Sequence, residues 1–349
     1  MANSTGIIIK TGFTVVFSGK RKTMKVGIAG LGAIAPLHIR AILNRGQKIT
    51  AICDVDAEKC KKINAEFNLG AKEYSDYNQM IDSGEVDVIH VCLPHYLHSE
   101  VICKALSKDI HVLCEKPLAI NFEQLNDIEK AVKNSSATLG VCFQNRYNAS
   151  VLYLKEFFKG KEITAATANL VWQRDEKYYA SGAWRGKKQY EGGGVMINQA
   201  IHSLDLLQWF CGMPESVIAH CSNNSLQGVI DVEDTAYGLF SLKNGGNFVI
   251  NATNAAKNCF TIISMFHAGD DTVELSGDNL IVNGKFVIKS DGSPIFGKEE
   301  WGVGHNNLIR EFYNCLEKGE KFPIDFYEGS KTVKLILKMY ESNGKKINI

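Results

Sequence analysis

Net charge is nearly missing from this chain of 349 residues: Lys and Arg total 39 against 38 Asp and Glu, a formal net of +1. That balance offers no field to nucleic acid or to an anionic membrane surface, and neither partner is expected. No apolar run approaches the roughly 20 residues that cross a bilayer. The ten cysteines form no Cys-x-x-Cys pair, so the usual spacing of a zinc or redox site is lacking and no metal is expected. Cys53, Cys92, Cys114 and Cys142 lie inside or beside apolar strand-like runs. They read as reduced core residues rather than a disulfide framework, which fits a cytoplasmic protein. Internal repeats and low-complexity tracts are absent too.

Residues 1–23 lack the marks of a secretory leader. Their apolar centre is broken by Lys10, nothing basic precedes it and no small-residue cleavage site follows. Met24 stands directly before the first strand-like run, so this arm is expected to be disordered and to lie outside the fold.

What is present begins at KVGIAGLGAIAPLHIRAIL, residues 25–43. A short apolar strand enters Gly30-Leu31-Gly32-Ala33-Ile34-Ala35 and then a helical pattern, the setting a dinucleotide fingerprint requires. Gly30 permits a tight turn, Gly32 lets backbone N–H groups approach a pyrophosphate, and Ala35 is the third small position, with the helix N-terminus facing the phosphates. A second strand, ITAICDVD, carries Asp54 at about the 20-residue spacing of the ribose-binding acid. An acid there accepts from two hydroxyls and repels a 2′-phosphate, so NAD is expected and NADP less so.

Strand and helix patterns alternate as far as Cys142, which implies a doubly wound parallel sheet. AEKCKKINAEFN reads as a helix capped by Asp56, EYSDYNQMIDSG as another, and NFEQLNDIEKAVKNS as a third capped by Asn121. Beyond residue 143 the rhythm changes to strand-like runs, with Asn244-Gly245 and Asn283-Gly284 as hairpin turns, and two closing helices near 303–318 and 328–342. The expected fold is α/β: a Rossmann domain at 24–142 that binds NAD, then an α+β domain at 143–349 with a large open, mostly antiparallel sheet.

Four motifs in this order carry a resemblance: GLGAIA; Glu115-Lys116-Pro117; PHYLH with Pro94 and His98; and GGGVMINQAIHSLDLLQWFCG at 192–212. Over 24–349 the chain resembles the Gfo/Idh/MocA family of oxidoreductases. The resemblance implies an NAD-dependent dehydrogenase of a CH–OH group in a sugar, inositol, polyol or sugar nucleotide. It also implies a homo-oligomer, a dimer or tetramer that the second domain would build. At the cofactor it places Gly30, Gly32, Ala33, Ile34, Asp54, Leu93, Pro94, His98, Glu115, Lys116, Asn145, Arg146, Trp184 and Arg185.

Hydride removal from a carbinol needs a group to take the hydroxyl proton and a cation to steady the developing alkoxide. Lys116 sits at the carboxyl end of a strand, where ligands meet an open α/β sheet, with Pro117 restricting the backbone beside it. After a glycine run that reads as a flexible lead-in, Asn198, His202 and Asp205 share one face of an apparent helix. By resemblance His202 is the acid/base group. Asn198 stands where the family commonly has Asp, and an amide cannot take a proton. Lys116, His202 and Asn198 are therefore the expected catalytic set. Two other readings stay open: glycoside hydrolysis through transient oxidation, and a cofactor-binding regulator without turnover.

Cofactor choice tests the first motif. Asp54→Ala should weaken NAD roughly tenfold or more, the loss of a hydrogen bond to a charged group, and should narrow its advantage over NADP. Binding constants for both cofactors check this; a wild-type preference for NADP would refute it.

Overall fold

The computed structural model describes residues 23–289 and 303–349, so the arm expected at 1–23 lies outside the described residues except for Thr23. The first half runs β1 (Lys25–Ala29), α1 (Ala35–Asn44), β2 (Lys48–Cys53), α2 (Ala57–Glu66), β3 (Lys72–Tyr74), α3 (Tyr77–Asp82), β4 (Val88–Val91), α4 (His98–Leu106), β5 (His111–Glu115), α5 (Phe122–Lys133) and β6 (Leu139–Cys142). The apolar runs become buried strands of one sheet in the order β3-β2-β1-β4-β5-β6, every neighbouring pair parallel. Asp56 and Asn121 cap α2 and α5 as expected, each accepting from backbone N–H groups of the first turn.

One element departs from the expectation. EYSDYNQMIDSG is not a single helix: Lys72–Tyr74 pair in parallel with β2 as an edge strand, and Asp76 then caps α3. Three residues are too few for a period-2 pattern to show.

The strand order reverses between β1 and β4, the switch point at whose carboxyl edge ligands bind in open sheets. Gly30 sits there with φ 89°, and a Cβ on it would lie 2.5 Å from the Cys92 carbonyl oxygen. Glycine is therefore required by the close approach of the two strand ends as well as by the turn.

The second half contains α6 (Ala149–Phe157), β7 (Ala165–Val171), α7 (Glu176–Ala180), α8 (Lys188–Glu191), α9 (Val195–Asn198), α10 (Ile201–Cys211), β8 (Ser216–Ser222), β9 (Thr235–Ser241), β10 (Asn247–Thr253), β11 (Ile263–Ala268), β12 (Asp271–Ser276), β13 (Asn279–Val282), β14 (Lys285–Ile288), α11 (Gly304–Lys318), α12 (Phe326–Ser342) and β15 (Ile347–Asn348). Its nine strands are ordered β14-β13-β12-β11-β7-β10-β9-β8-β15. Among the described residues, only β7 and β10 pair in parallel in this sheet. Burial alternates along β8, β9, β10 and β11, so one face is packed and the other is open. Phe240 and Phe248 stack across the packed face with ring centroids 4.6 Å apart.

The last two helices return to the Rossmann sheet. α11 packs on α1, where Arg45 and Glu317 pair at 2.6 Å, and α12 lies against α5 and β6. Val141 N–H also donates to the Ile324 carbonyl at 2.9 Å. All ten cysteines are free. Among the described residues, no helix is long and apolar enough to cross a membrane.

Candidate active site

Three strand ends converge at the switch point. After β1, helix α1 starts with no side chain capping it, and a Cβ on Gly32 would meet nothing within 4 Å. The turn thus presents an open backbone surface beside the positive end of a helix. From β2, the Asp54 carboxylate accepts from Leu31 N–H at 2.9 Å and from Asp56 N–H at 3.0 Å, which ties it to the glycine turn. From β4, the chain passes Leu93 and Pro94 into a tight turn ending at His98. The buried His98 ring lies 2.8 Å from the Leu93 carbonyl and 2.7 Å from that of Pro117, binding the turn after β4 to the turn after β5. Burial holds its pKa down.

β5 delivers Glu115 and Lys116, followed by a cis Lys116–Pro117 peptide. Glu115, expected at the cofactor, turns its carboxylate into the interior. It lies 3.0 Å from His38 Nε2 and 3.4 Å from His305 Nε2. The three offer ligand atoms within 4.8 Å of one another, a group of the kind that can hold a metal ion. Burial opposes the charge on Glu115, yet the hydrogen bonds and charges of His305 and His38 outweigh it and hold the carboxyl well below the usual range. His38 in turn meets His90 at 2.8 Å, and His90 meets the Tyr313 hydroxyl at 2.9 Å.

Lys116 points the other way. Its Nζ donates to the Asn198 backbone carbonyl at 2.8 Å, bridging the two halves of the chain. Burial lowers its pKa, partly opposed by the Glu115 charge.

The segment 192–212 is not one helix. α9 ends at Asn198 and α10 begins at Ile201, so Asn198 and His202 flank a break. Nor is the glycine run an open lead-in: it is closely packed. A Cβ would lie 2.5 Å from Ile120 Cβ at Gly192, 2.0 Å from the Tyr340 hydroxyl at Gly193 and 1.8 Å from the Glu233 carbonyl oxygen at Gly194. These glycines are there for close packing, and the packing fixes where Asn198 lands. The His202 Nε2 lies 3.4 Å from Gln144 Nε2, and its Nδ1 has no hydrogen-bond partner among the described residues. Burial, then the Lys116 charge, push its pKa well below the ordinary value, so the ring is neutral at neutral pH.

Trp184 and Arg185 are brought across to the Rossmann side. The Trp184 ring centroid is 4.7 Å from that of His95, beside Pro94, and the Arg185 guanidinium stacks on both Trp184 and Tyr178. Asn145 and Arg146 are placed otherwise. Asn145 Oδ1 is buried without a hydrogen-bond partner among the described residues. Arg146 faces inward on the Asp205 carboxylate, with both contacts at 2.7 Å, and reaches Glu328 at 2.8 Å. Asp205, which also accepts from Thr332, is therefore part of the core and not of a cleft-lining face. Two further groups were not legible from the residues alone: Glu191, whose carboxyl holds the Asn198 amide, and the His38–Glu115–His305 cluster. Only the acid's place directly before the glycine run could have drawn attention to Glu191.

Residues 24–143 match the sequence model described as "Oxidoreductase family, NAD-binding Rossmann fold", and residues 161–279 match the "GFO/IDH/MocA C-terminal domain". The chain belongs to the Gfo/Idh/MocA oxidoreductase family. Among curated relatives, inositol 2-dehydrogenase of Salmonella typhimurium is 28% identical over 190 residues, covering 54% of each chain. Myo-inositol 2-dehydrogenase of Thermotoga maritima is 26% identical over 67% of this chain and 69% of its own. The chain thus spans about half the length of the first of these relatives. Of solved structures, the WlbA dehydrogenase from Bordetella pertussis, in complex with NADH and UDP-GlcNAcA, superimposes with a TM-score of 0.83. It is 28% identical and covers 94% of this chain and 99% of its own.

Within this Gfo/Idh/MocA chain, Arg146 should act on stability and not on cofactor affinity. Arg146→Ala leaves Asp205 charged and buried, which should cost about 3–5 kcal/mol in urea unfolding while NAD affinity of the folded protein stays near normal. An undiminished unfolding midpoint with weakened NAD binding would reverse the assignment.

Proposed function

We propose that the chain is an NAD-dependent dehydrogenase oxidising a CH–OH group of a sugar, inositol, polyol or sugar nucleotide in the cleft between its two domains. One observation carries the reading: Lys116 Nζ, at the carboxyl end of β5, is held at 2.8 Å on the backbone carbonyl of Asn198, beside the break that positions His202. The glycine turn with an open surface and the Asp54 carboxylate fixed beside it fit NAD, with Gly30, Gly32, Ala33 and Ile34 at the pyrophosphate. When bound, NAD supplies the hydride acceptor. Leu93, Pro94 and His98 shape one wall, and Trp184 and Arg185 close the site from the second domain.

Lys116 donates to the reacting oxygen and steadies it as negative charge develops. His202, kept neutral by burial and by the Lys116 charge, takes the hydroxyl proton. Asn198 aligns the substrate through its amide. Identity to inositol dehydrogenases and to a sugar-nucleotide dehydrogenase supports the substrate class, and it favours turnover over a purely regulatory role.

Assembly belongs to the same reading. The open face of the nine-stranded sheet exposes Ile218, Tyr237, Leu239, Ile263 and Met265. Leu239 lies directly opposite Ile218, and the same cross-strand row runs on through Val249 and Thr167 to Met265, a face that a second copy of the chain would cover. Light scattering should report a dimer or tetramer, and Leu239→Arg should lower the mass; a monomeric wild type would refute it.

Turnover is tested with a panel of inositols, hexoses and UDP-sugars, following formation of reduced cofactor. Lys116→Ala should lower kcat about a hundredfold or more with NAD affinity near normal, and His202→Ala roughly a hundred- to ten-thousandfold. Near wild-type turnover in Lys116→Ala would move the chemistry elsewhere, and glycoside cleavage without net reduction would make the chain a hydrolase.

A further inference from the structure

One carboxyl beside this site has no part in the chemistry above. Glu191 ends α8 directly before the glycine run and is buried. Its Oε2 accepts from Gly186 N–H and its Oε1 from the Asn198 side-chain Nδ2. Gly186 has little freedom: its φ is 68°, and a Cβ there would lie 2.3 Å from Ile230 Cγ2. One carboxyl oxygen is therefore committed to a backbone donor. The other accepts from the Asn198 amide, its hydrogen-bond partner among the described residues.

An amide has a donor end and an acceptor end. While Glu191 is ionised, the Asn198 amino group turns towards it and the amide oxygen turns away as an acceptor. If Oε1 carries a proton, the carboxyl itself becomes the donor. The amide must then turn its oxygen to Glu191 and its amino group away. Since Lys116 already supplies a cationic donor beside Asn198, a second donor there would be set against it, whereas an acceptor can take a substrate O–H.

We propose that Glu191 is a positioning residue whose ionisation decides which end of the Asn198 amide faces the substrate, the ionised form being the one that supports oxidation. The proposal rests on the dehydrogenase reading. The groups facing Glu191 come from every element packed on it. Arg185 and Lys116 favour the carboxylate, Glu233 opposes it, and the hydroxyls of Tyr179 and Tyr340 and the ring of His95 are neutral neighbours. Burial, against the hydrogen bonds from Gly186 and Asn198, pushes the Glu191 pKa up to about 7. The change of state thus falls in the working range, while the His202 ring titrates well below it.

Two readouts test this. The side-chain amide of Asn198, assigned by its loss from the nitrogen–proton spectrum in Asn198→Asp, is followed from about pH 5.5 to about pH 8.5, a span that brackets the shifted carboxyl. It should titrate once near neutrality in the wild type and not at all in Glu191→Gln. In parallel, kcat/KM on the substrate panel should fall about tenfold per pH unit below that midpoint in the wild type. Glu191→Gln should show no such limb and stay far below the wild-type maximum over the same range, because its carbonyl would stay with Gly186 N–H and its amino group would face Asn198 as a protonated acid does. Glu191→Asp should keep a limb at a shifted midpoint, and it decides the matter if the Gln variant melts early. An acidic limb unchanged in Glu191→Gln, or an amide titration that survives there, overturns the proposal. An amide titration lost in Glu191→Gln with no turnover on any substrate would leave the device standing and defeat the dehydrogenase reading.

Discussion

The carboxylate of Glu115 is the fixed point of this molecule. Strand β5 brings it to the sheet edge, and two histidines then hold it in the interior: His38 from α1 and His305 from α11. One partner belongs to the glycine-turn unit and the other to the closing helices, so a single buried charge registers the cofactor half against the carboxyl-terminal segment. Such a group is expensive to leave unpaired, which makes the three positions depend on one another. Because Lys116 follows directly on the strand, pinning the Glu115 side chain inward sets the direction in which the lysine must leave.

From that point the site is a matter of how three titratable groups are kept in different states within one packed region. Glu115 is held ionised by its histidines. His202 is held neutral by burial and the neighbouring cation. Glu191 sits near the balance point, since burial raises it while two donors and the Arg185 charge lower it. Pushing the proton affinities of nearby groups apart in this way is how one packed region can contain an ionised carboxylate, a neutral imidazole and an adjustable carboxyl at the same pH.

Much of the Rossmann half was legible because its signals are local: Gly30 and Gly32 in a strand-turn-helix setting, Asp54 at its distance, Asp56 and Asn121 at helix starts. β3 was not legible because three edge residues carry no period. In the second half, periodicity and the Asn-Gly turns located strands and helices, but the stripe of Asn198, His202 and Asp205 misled. The chain breaks between α9 and α10, and Asp205 is drawn inward by Arg146 rather than facing the cleft. The role of the glycine run depends on Ile120, Tyr340 and Glu233, far away in the chain, and no local pattern conveys that. Glu191 escaped for the same reason, its meaning coming from Gly186 and Asn198 together.

The His98 staple has a consequence for anyone reshaping this cleft. Because one ring lies between the carbonyls of Leu93 and Pro117, within hydrogen-bond distance of each, the turns after β4 and β5 share a single joint. Loop grafting that exchanges either turn alone would import a backbone for which the histidine has no second anchor. The unit of transplantation is therefore the pair of turns with His98 between them, whereas the loop carrying Trp184 and Arg185 meets the His95 turn through stacked rings and can be varied separately.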